Sequence, residues 1–307
     1  MIIRHIRRQL LKTRAHSTQA APVEDPKIYC ANYLRTHDYE SFLTGPFYGQ
    51  ELKHGYYALK SFAVELASIQ DSVSNATIGQ MRMQFWRDGI KSIMDNRPPR
   101  HPIALGLHDL LRDMKLPAYH FKRIIDARDA KLQTSHFMTL DALTSHAEAT
   151  SSTLLYLLLG MLKVNHDTVL HAASHIGVAQ TLTTLLRGLP FHAAHGRMVI
   201  PTEITAKHGV VQEEVFRKGG GARGIDEAVF ELATLANDHL HTARSMFKET
   251  GGKIPPAVMP VFLAGVPVAN ILRKLEKANF DAFAPELQVR DWKLPWHIYK
   301  VYWMGKI

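Results

Sequence analysis

From residue 26 to residue 304 the chain repeats one pattern. Apolar residues recur at three- and four-residue spacing over stretches of helix length, and each stretch ends at a proline, glycine or asparagine breaker. The spacing predicts helices over 26–37, 49–74, 77–96, 101–115, 117–131, 139–164, 167–189, 212–217, 225–250, 256–278 and 294–304. The breakers include Asn96-Arg97-Pro98-Pro99, Leu116-Pro117, Leu189-Pro190, Gly219-Gly220-Gly221, Gly251-Gly252 and Ala284-Pro285. Thr139 and Asn165 stand where helix caps are expected. Alternating apolar and polar residues bounded by hairpin turns, the mark of a strand, do not occur. The pattern admits an all-α fold and little else.

A length of 307 residues allows one large helical domain, and 46 % hydrophobic with 21 % charged residues is ordinary for a globular chain. The single cysteine, Cys30, excludes an internal disulfide framework and a multi-cysteine zinc site, and it reads as a small buried residue. The net charge of +9 is partly local, because Arg4, Arg7, Arg8, Lys12 and Arg14 supply five of the nine charges. No basic run with interleaved aromatics follows, so no nucleic-acid partner is expected. Residues 1–20 hold those five bases, no acid, and Ile2, Ile3, Ile6, Leu10 and Leu11 at amphipathic spacing. That is the composition of a mitochondrial transit peptide, and it lacks the unbroken apolar core of a secretory signal. Residues 254–272 form an uncharged run of membrane-spanning length, but Pro255, Pro256, Pro260 and Pro267 interrupt it. Lipid offers no partner for the backbone groups so many prolines leave unpaired, and a buried core helix fits better.

One segment carries more than fold. Residues 177–201, GVAQTLTTLLRGLPFHAAHGRMVIP, resemble the second aspartate-rich segment of squalene and phytoene synthases, roughly QLTNILRDVxEDxxRGRxYLP. Ala179-Gln180-Thr181-Leu182, Leu185-Leu186-Arg187, Gly196-Arg197 and Pro201 stand in register. Gly188 and His192 occupy the positions of the two aspartates. Residues 59–74, LKSFAVELASIQDSVS, are similar to the first aspartate-rich segment. There Ala67 and Ser68 replace two aspartates and Asp71 alone survives, with Glu65 upstream. Residues 81–87 resemble the RLxWWR helix that follows it. The likeness spans about residues 28–280 and implies an isoprenoid-synthase helical domain around a central cavity. It assigns residues 25–285 to that domain and leaves residues 286–307 as an aromatic, basic C-terminal helix.

In the enzymes the resemblance points to, carboxylates one helical turn apart hold magnesium ions against a substrate diphosphate. The metal stabilises the departing diphosphate as a Lewis acid. Glycine and alanine offer no ligand, and histidine suits a hard cation poorly. No catalytic residue, metal or cofactor is therefore expected here. The strings PFYGQELKHGYYALKSFAVELASIQDSVS, IGQMRMQFWRDGI and ANDHLHTARS resemble one branch in particular, the mitochondrial complex I assembly factor 6 group. That resemblance implies a non-catalytic factor acting early on the membrane arm of complex I, in the matrix and peripherally at the inner membrane. Its partners would be membrane-arm subunits, other assembly factors or the lipid surface. The competing reading is a prenyl-diphosphate-using transferase, or a prenyl- or quinone-lipid-binding protein, with an altered metal site.

Other constellations carry less. The eighteen histidines include His171 and His175 one turn apart and the close pairs His192/His195 and His239/His241, but they lack HExxH spacing and read as core or surface residues. Arg82, Arg187 and Arg197 are candidates for an anion or lipid headgroup; the alternative is structural pairing with Asp71 or Glu65. Phe85 and Trp86 read as core. Trp296, Tyr299 and Trp303 share one helix face beside Lys293, Lys300 and Lys306, which suits a membrane interface, a partner groove or docking on the protein's own body.

Overall fold

The computed structural model describes residues 24–73, 75–134 and 136–307; the basic segment read as a transit peptide lies outside them. Among the described residues there is no strand. The first half of the chain runs through α1 (Pro26–His37), α2 (Tyr39–Thr44), α3 (Gly49–Ser72), α4 (Ala76–Met94), α5 (Pro102–Asp113) and α6 (Ala118–Gln133). Then come α7 (Leu140–Ala147), α8 (Thr153–Met161) and the long α9 (Asp167–Ala194). The remainder comprises α10 (Thr202–Lys207), α11 (Gln212–Lys218), α12 (Ile225–Ser245), α13 (Met259–Phe262), α14 (Gly265–Lys277), α15 (Pro285–Gln288) and α16 (Leu294–Met304).

The starts follow capping chemistry. Asp25, Asn75 and Thr139 each accept a hydrogen bond from the first turn of the helix they open. At α9 the cap is His166 rather than Asn165. Two apolar cores meet along α9. The first packs α3 against α1, α5 and α8, with Phe62, Trp86 and Phe121 fully buried in it. The second packs the C-terminal half of α9 against α12 and α14. Cys30 belongs to the first core, where burial pushes its thiol up to about 12. It is inert packing, as its sequence context indicated. Trp86 is likewise core, but Phe85 is exposed and meets Trp86 edge-on at 5.4 Å.

Three departures from the periodicity have local causes. The expected helix 139–164 is interrupted by a π-turn, Glu148–Ser152. The extra residue frees carbonyls that the Ser/Thr run recaptures: Thr150 Oγ1 donates to His146 O at 2.7 Å and Thr153 Oγ1 to Glu148 O at 2.8 Å. Second, α9 continues through Pro190 to Ala194. Burial of Leu189 and Ala193 against the second core rewards the last turn despite the lost backbone bond. Third, residues 256–278 split into α13 and α14, as their prolines require. No helix among the described residues is long and apolar enough to cross a membrane.

Candidate functional site

A cavity of about 320 Å³ opens between α3, α6, α7 and α9. Each wall is set by helix period. On α3, Lys60, Ala63, Val64, Ala67 and Asp71 recur at three- and four-residue spacing and so face one way. On α9, Gln180, Thr181, Thr184, Leu185 and His192 do the same. The loop after α9 returns Arg197, and α6 contributes Arg128 and Lys131 one turn apart. The π-turn aims Ser151 at the cavity, held by Thr181 Oγ1 at 2.7 Å. An adjoining cleft of about 640 Å³ shares Ala67, Gln180 and His192 and adds Arg187 and Gly188.

The two motif segments therefore come together, as expected, but their charges are tied down. Arg197 Nη2 lies 2.6 Å from Asp71 Oδ1, and Arg187 Nη1 lies 2.5 Å from Glu40 Oε1. Both pairs are partly exposed, so each stabilises by about 1 kcal/mol or less. The structural pairing proposed for Asp71 is thus real and its partner is Arg197; the partner of Arg187, Glu40, was not foreseen. Glu65 pairs with neither arginine and accepts the Tyr33 hydroxyl at 2.9 Å. Two sequence candidates lie away from the cavity. Ser68 turns towards its own helix, donating to Glu65 O at 2.9 Å. Arg82 points outward from α4 and bonds Ser72 Oγ at 2.6 Å. Trp296 and Trp303 are 70 % and 71 % exposed on α16, with Tyr299 on the same stripe and the exposed Trp292 in the turn before the helix, while Leu294 and Ile298 bury the opposite face.

Burial shapes the electrostatics. It pushes the Arg128 guanidinium down to about 10 and the Lys131 ammonium, beside Arg197, down to about 8, so both remain charged at neutral pH. His146 is driven to about 3 by burial and then by Arg128 and Lys131. His192 is lowered by burial and by Arg197. Both histidines are therefore neutral. The cations of the cavity are Lys60, Arg128, Lys131 and Arg197.

The sequence pattern of squalene/phytoene synthase matches residues 34–299, most of the chain. The chain belongs to the squalene/phytoene synthase family. Within that family it sits with the complex I assembly factor 6 group. It is 35 % identical over 302 residues to the rat protein named NADH dehydrogenase (ubiquinone) complex I, assembly factor 6, covering 98 % of this chain and 89 % of the rat chain. The bovine protein of the same name is 38 % identical over 275 residues, 90 % of this chain and 81 % of its own. A crystal structure of a dehydrosqualene synthase in complex with ligand superposes with a TM-score of 0.75 at 14 % identity, covering 91 % of this chain and 96 % of the other. At that identity the superposition establishes the isoprenoid-synthase fold alone.

The magnesium that the family's enzymes use does not fit this cavity. Ala67 and Gly188 present no oxygen, Ser68 faces away, and Asp71 is held by Arg197. Among the described residues no three His, Cys, Asp or Glu side chains converge as a metal site. His171, His175 and His239 form a chain of ring contacts instead, with His175 Nδ1 2.7 Å from His239 Nδ1 and His175 Nε2 3.2 Å from His171 Nε2.

Sequence reasoning missed Lys60, Arg128, Lys131, His146 and Ser151. The sequence carried no signal for the α6 pair, because only the packing of α6 sorts its charges. Asp126 and Asp129 occupy the face of α6 that clasps Arg87, at 2.9 and 2.6 Å, so Arg128 and Lys131 fall on another face of a helix packed on several sides.

Proposed function

We propose that this chain is a non-catalytic factor in the assembly of mitochondrial respiratory complex I, acting early on the membrane arm from the matrix face of the inner membrane. The observation that carries the reading is its similarity, at 35–38 % identity over most of the chain, to proteins named complex I assembly factor 6. The cavity chemistry supports it: the positions that would hold magnesium are Ala67, Gly188 and an Asp71 neutralised by Arg197. A chain without that metal acts by binding. The exposed stripe of Trp296, Tyr299 and Trp303 on α16, beside Lys293 and Lys300 and the exposed Trp292 before the helix, supplies an amphipathic surface for a membrane or a partner subunit. The second reading, a prenyl-diphosphate-using enzyme or lipid carrier, draws on the cavity that persists.

Cells lacking this chain are expected to lose complex I at an early membrane-arm intermediate while other respiratory complexes persist. Native-gel profiling of their mitochondria checks this. Re-expression of Asp71→Ala should restore most of complex I, whereas W296A/W303A should restore less and shift the protein towards the soluble fraction. Normal complex I with altered isoprenoid or quinone pools would favour the second reading.

The purified protein is expected to release no diphosphate from farnesyl or geranylgeranyl diphosphate with Mg²⁺ or Mn²⁺. Sustained release that Asp71→Ala abolishes would establish an enzyme.

A further inference from the structure

Three imidazoles meet where α9 packs on α12, away from the cavity. His175 precedes the cavity residue Thr184 by about two and a half helical turns, so it projects from the opposite side of α9. Its Nε2 stands 3.2 Å from Nε2 of His171, one turn earlier on α9. Its Nδ1 stands 2.7 Å from Nδ1 of His239 on α12. A neutral imidazole has one N–H and one lone pair, so His175 can donate at only one of these contacts. When the proton sits on Nδ1 and is donated to His239, Nε2 of His175 turns a lone pair towards His171. Two nitrogens that bind one Zn²⁺ at about 2.0–2.1 Å stand about 3.3 Å apart at a tetrahedral angle. The 3.2 Å between His171 and His175 is thus already the separation of a chelate.

The surroundings admit a cation. Burial lowers His175 to about 4, helped by His239 and His171, so the ring is unprotonated at neutral pH, as a metal ligand must be. Burial also lowers His239, and the carboxylates of Glu148 and Asp238 oppose that shift by bringing negative charge to the group. His146 and His192 lie instead beside Arg128, Lys131 or Arg197, which repel a metal ion. His171 is exposed, which leaves water free to complete a coordination shell.

We propose that His171 and His175 chelate a late first-row divalent metal ion of the Zn²⁺ or Cu²⁺ class, with His239 as the positioning residue behind His175. Imidazole nitrogen suits these ions, and Cu²⁺ ordinarily binds such a pair more tightly than Zn²⁺. Metal-bound histidines commonly donate their second N–H to an acceptor that fixes the tautomer and the ring, and His239 Nδ1 is that acceptor. Because His239 belongs to α12, the bound ion braces α9 against α12 through His175. The site is independent of the cavity and of the assembly role.

The test is calorimetric titration of the purified full-length chain, free of any histidine tag, with Cu²⁺, Zn²⁺ and Mg²⁺ in turn at pH 7.5. One equivalent of Cu²⁺ or Zn²⁺ should bind and Mg²⁺ should not; binding of only one of the two ions assigns the metal. His171→Asn should leave the metal-free Tm unchanged, because the residue is exposed, and should weaken binding about tenfold or more. His239→Phe should weaken it about tenfold, and His239→Gln, whose amide oxygen can accept the same hydrogen bond, should retain more affinity. His241→Asn, on another face of α12, should bind like the wild type. Pulsed electron paramagnetic resonance of the Cu²⁺-loaded protein should count two coordinated imidazoles in the wild type and one in His171→Asn. The proposal fails if His171→Asn binds as tightly as the wild type, if the wild type shows one imidazole, or if His241→Asn is equally weakened. Wild-type affinity in His239→Phe would remove His239 from the site.

Discussion

Replacing Gly177 with alanine should destabilise the protein by about 3 kcal/mol or more, the largest effect of any single added methyl group in α9. A Cβ at this position would sit 2.4 Å from the backbone nitrogen of Ser152 and 2.5 Å from its Cα. Neither atom can swing aside, because Ser152 belongs to the π-turn and its hydroxyl is bonded to Ser174 O at 2.7 Å. Gly177 is the point where α9 packs against the π-turn, so relief of the clash would also move the neighbouring cavity residues Ser151 and Gln180. The control is Gly89→Ala. There the nearest atom to a new Cβ is Pro99 Cγ at 3.7 Å, an ordinary contact. Alanine in that helix interior should be neutral or stabilise by up to about 1 kcal/mol. Urea melts at neutral pH distinguish the two, and a Gly177→Ala midpoint close to wild type would refute the crossing argument.

Acidification should unfold the protein through His146. Its folded-state value is about 3 against an ordinary value of 6.5. Between these values the unfolded chain takes up a proton that the folded chain refuses, so stability falls as pH drops through this window and is complete above it. The slope for one such group is about 1.4 kcal/mol per pH unit, or about 3 kcal/mol between pH 6.5 and 4.5. His175, lowered to about 4 by burial and by His239 and His171, adds a smaller, solvent-screened share in the same direction. His146 faces Arg128, Lys131 and the Phe137 ring, so its protonation would add a third positive charge beside two cations. In His146→Gln the loss between pH 6.5 and 4.5 should shrink by about the same 3 kcal/mol. Parallel wild-type and variant curves would exclude His146 as the sensor.

The helical class and the long helices were legible because burial of an apolar face imposes a 3.6-residue period on any helix of that length. The short α2, α10 and α15 and the breaks within 139–164 and 256–278 were not. The degenerate aspartate positions were legible because they are a matter of residue identity within a frame: Gly188 and Ala67 hold no metal in any fold. The same reasoning correctly read Cys30 and Trp86 as core and the proline-cut run at 254–272 as buried helix. It misplaced Ser68 and Arg82, because a residue's position within a motif does not state which way its side chain turns on the helix.

What the tertiary structure alone decided is partnership. Asp71 and Arg197 lie far apart in sequence and meet only because α3 and the end of α9 close on one cavity, and Glu40 reaches Arg187 across a still larger separation. Local periodicity carries no information about such distances. The charge balance of the cavity is the clearest case. Sequence shows how many acids and bases exist, but only packing shows that Asp126 and Asp129 are spent on Arg87 while Arg128 and Lys131 are left facing the interior. An unpaired charge is defined by what surrounds it, and those surroundings are assembled from helices distant along the chain.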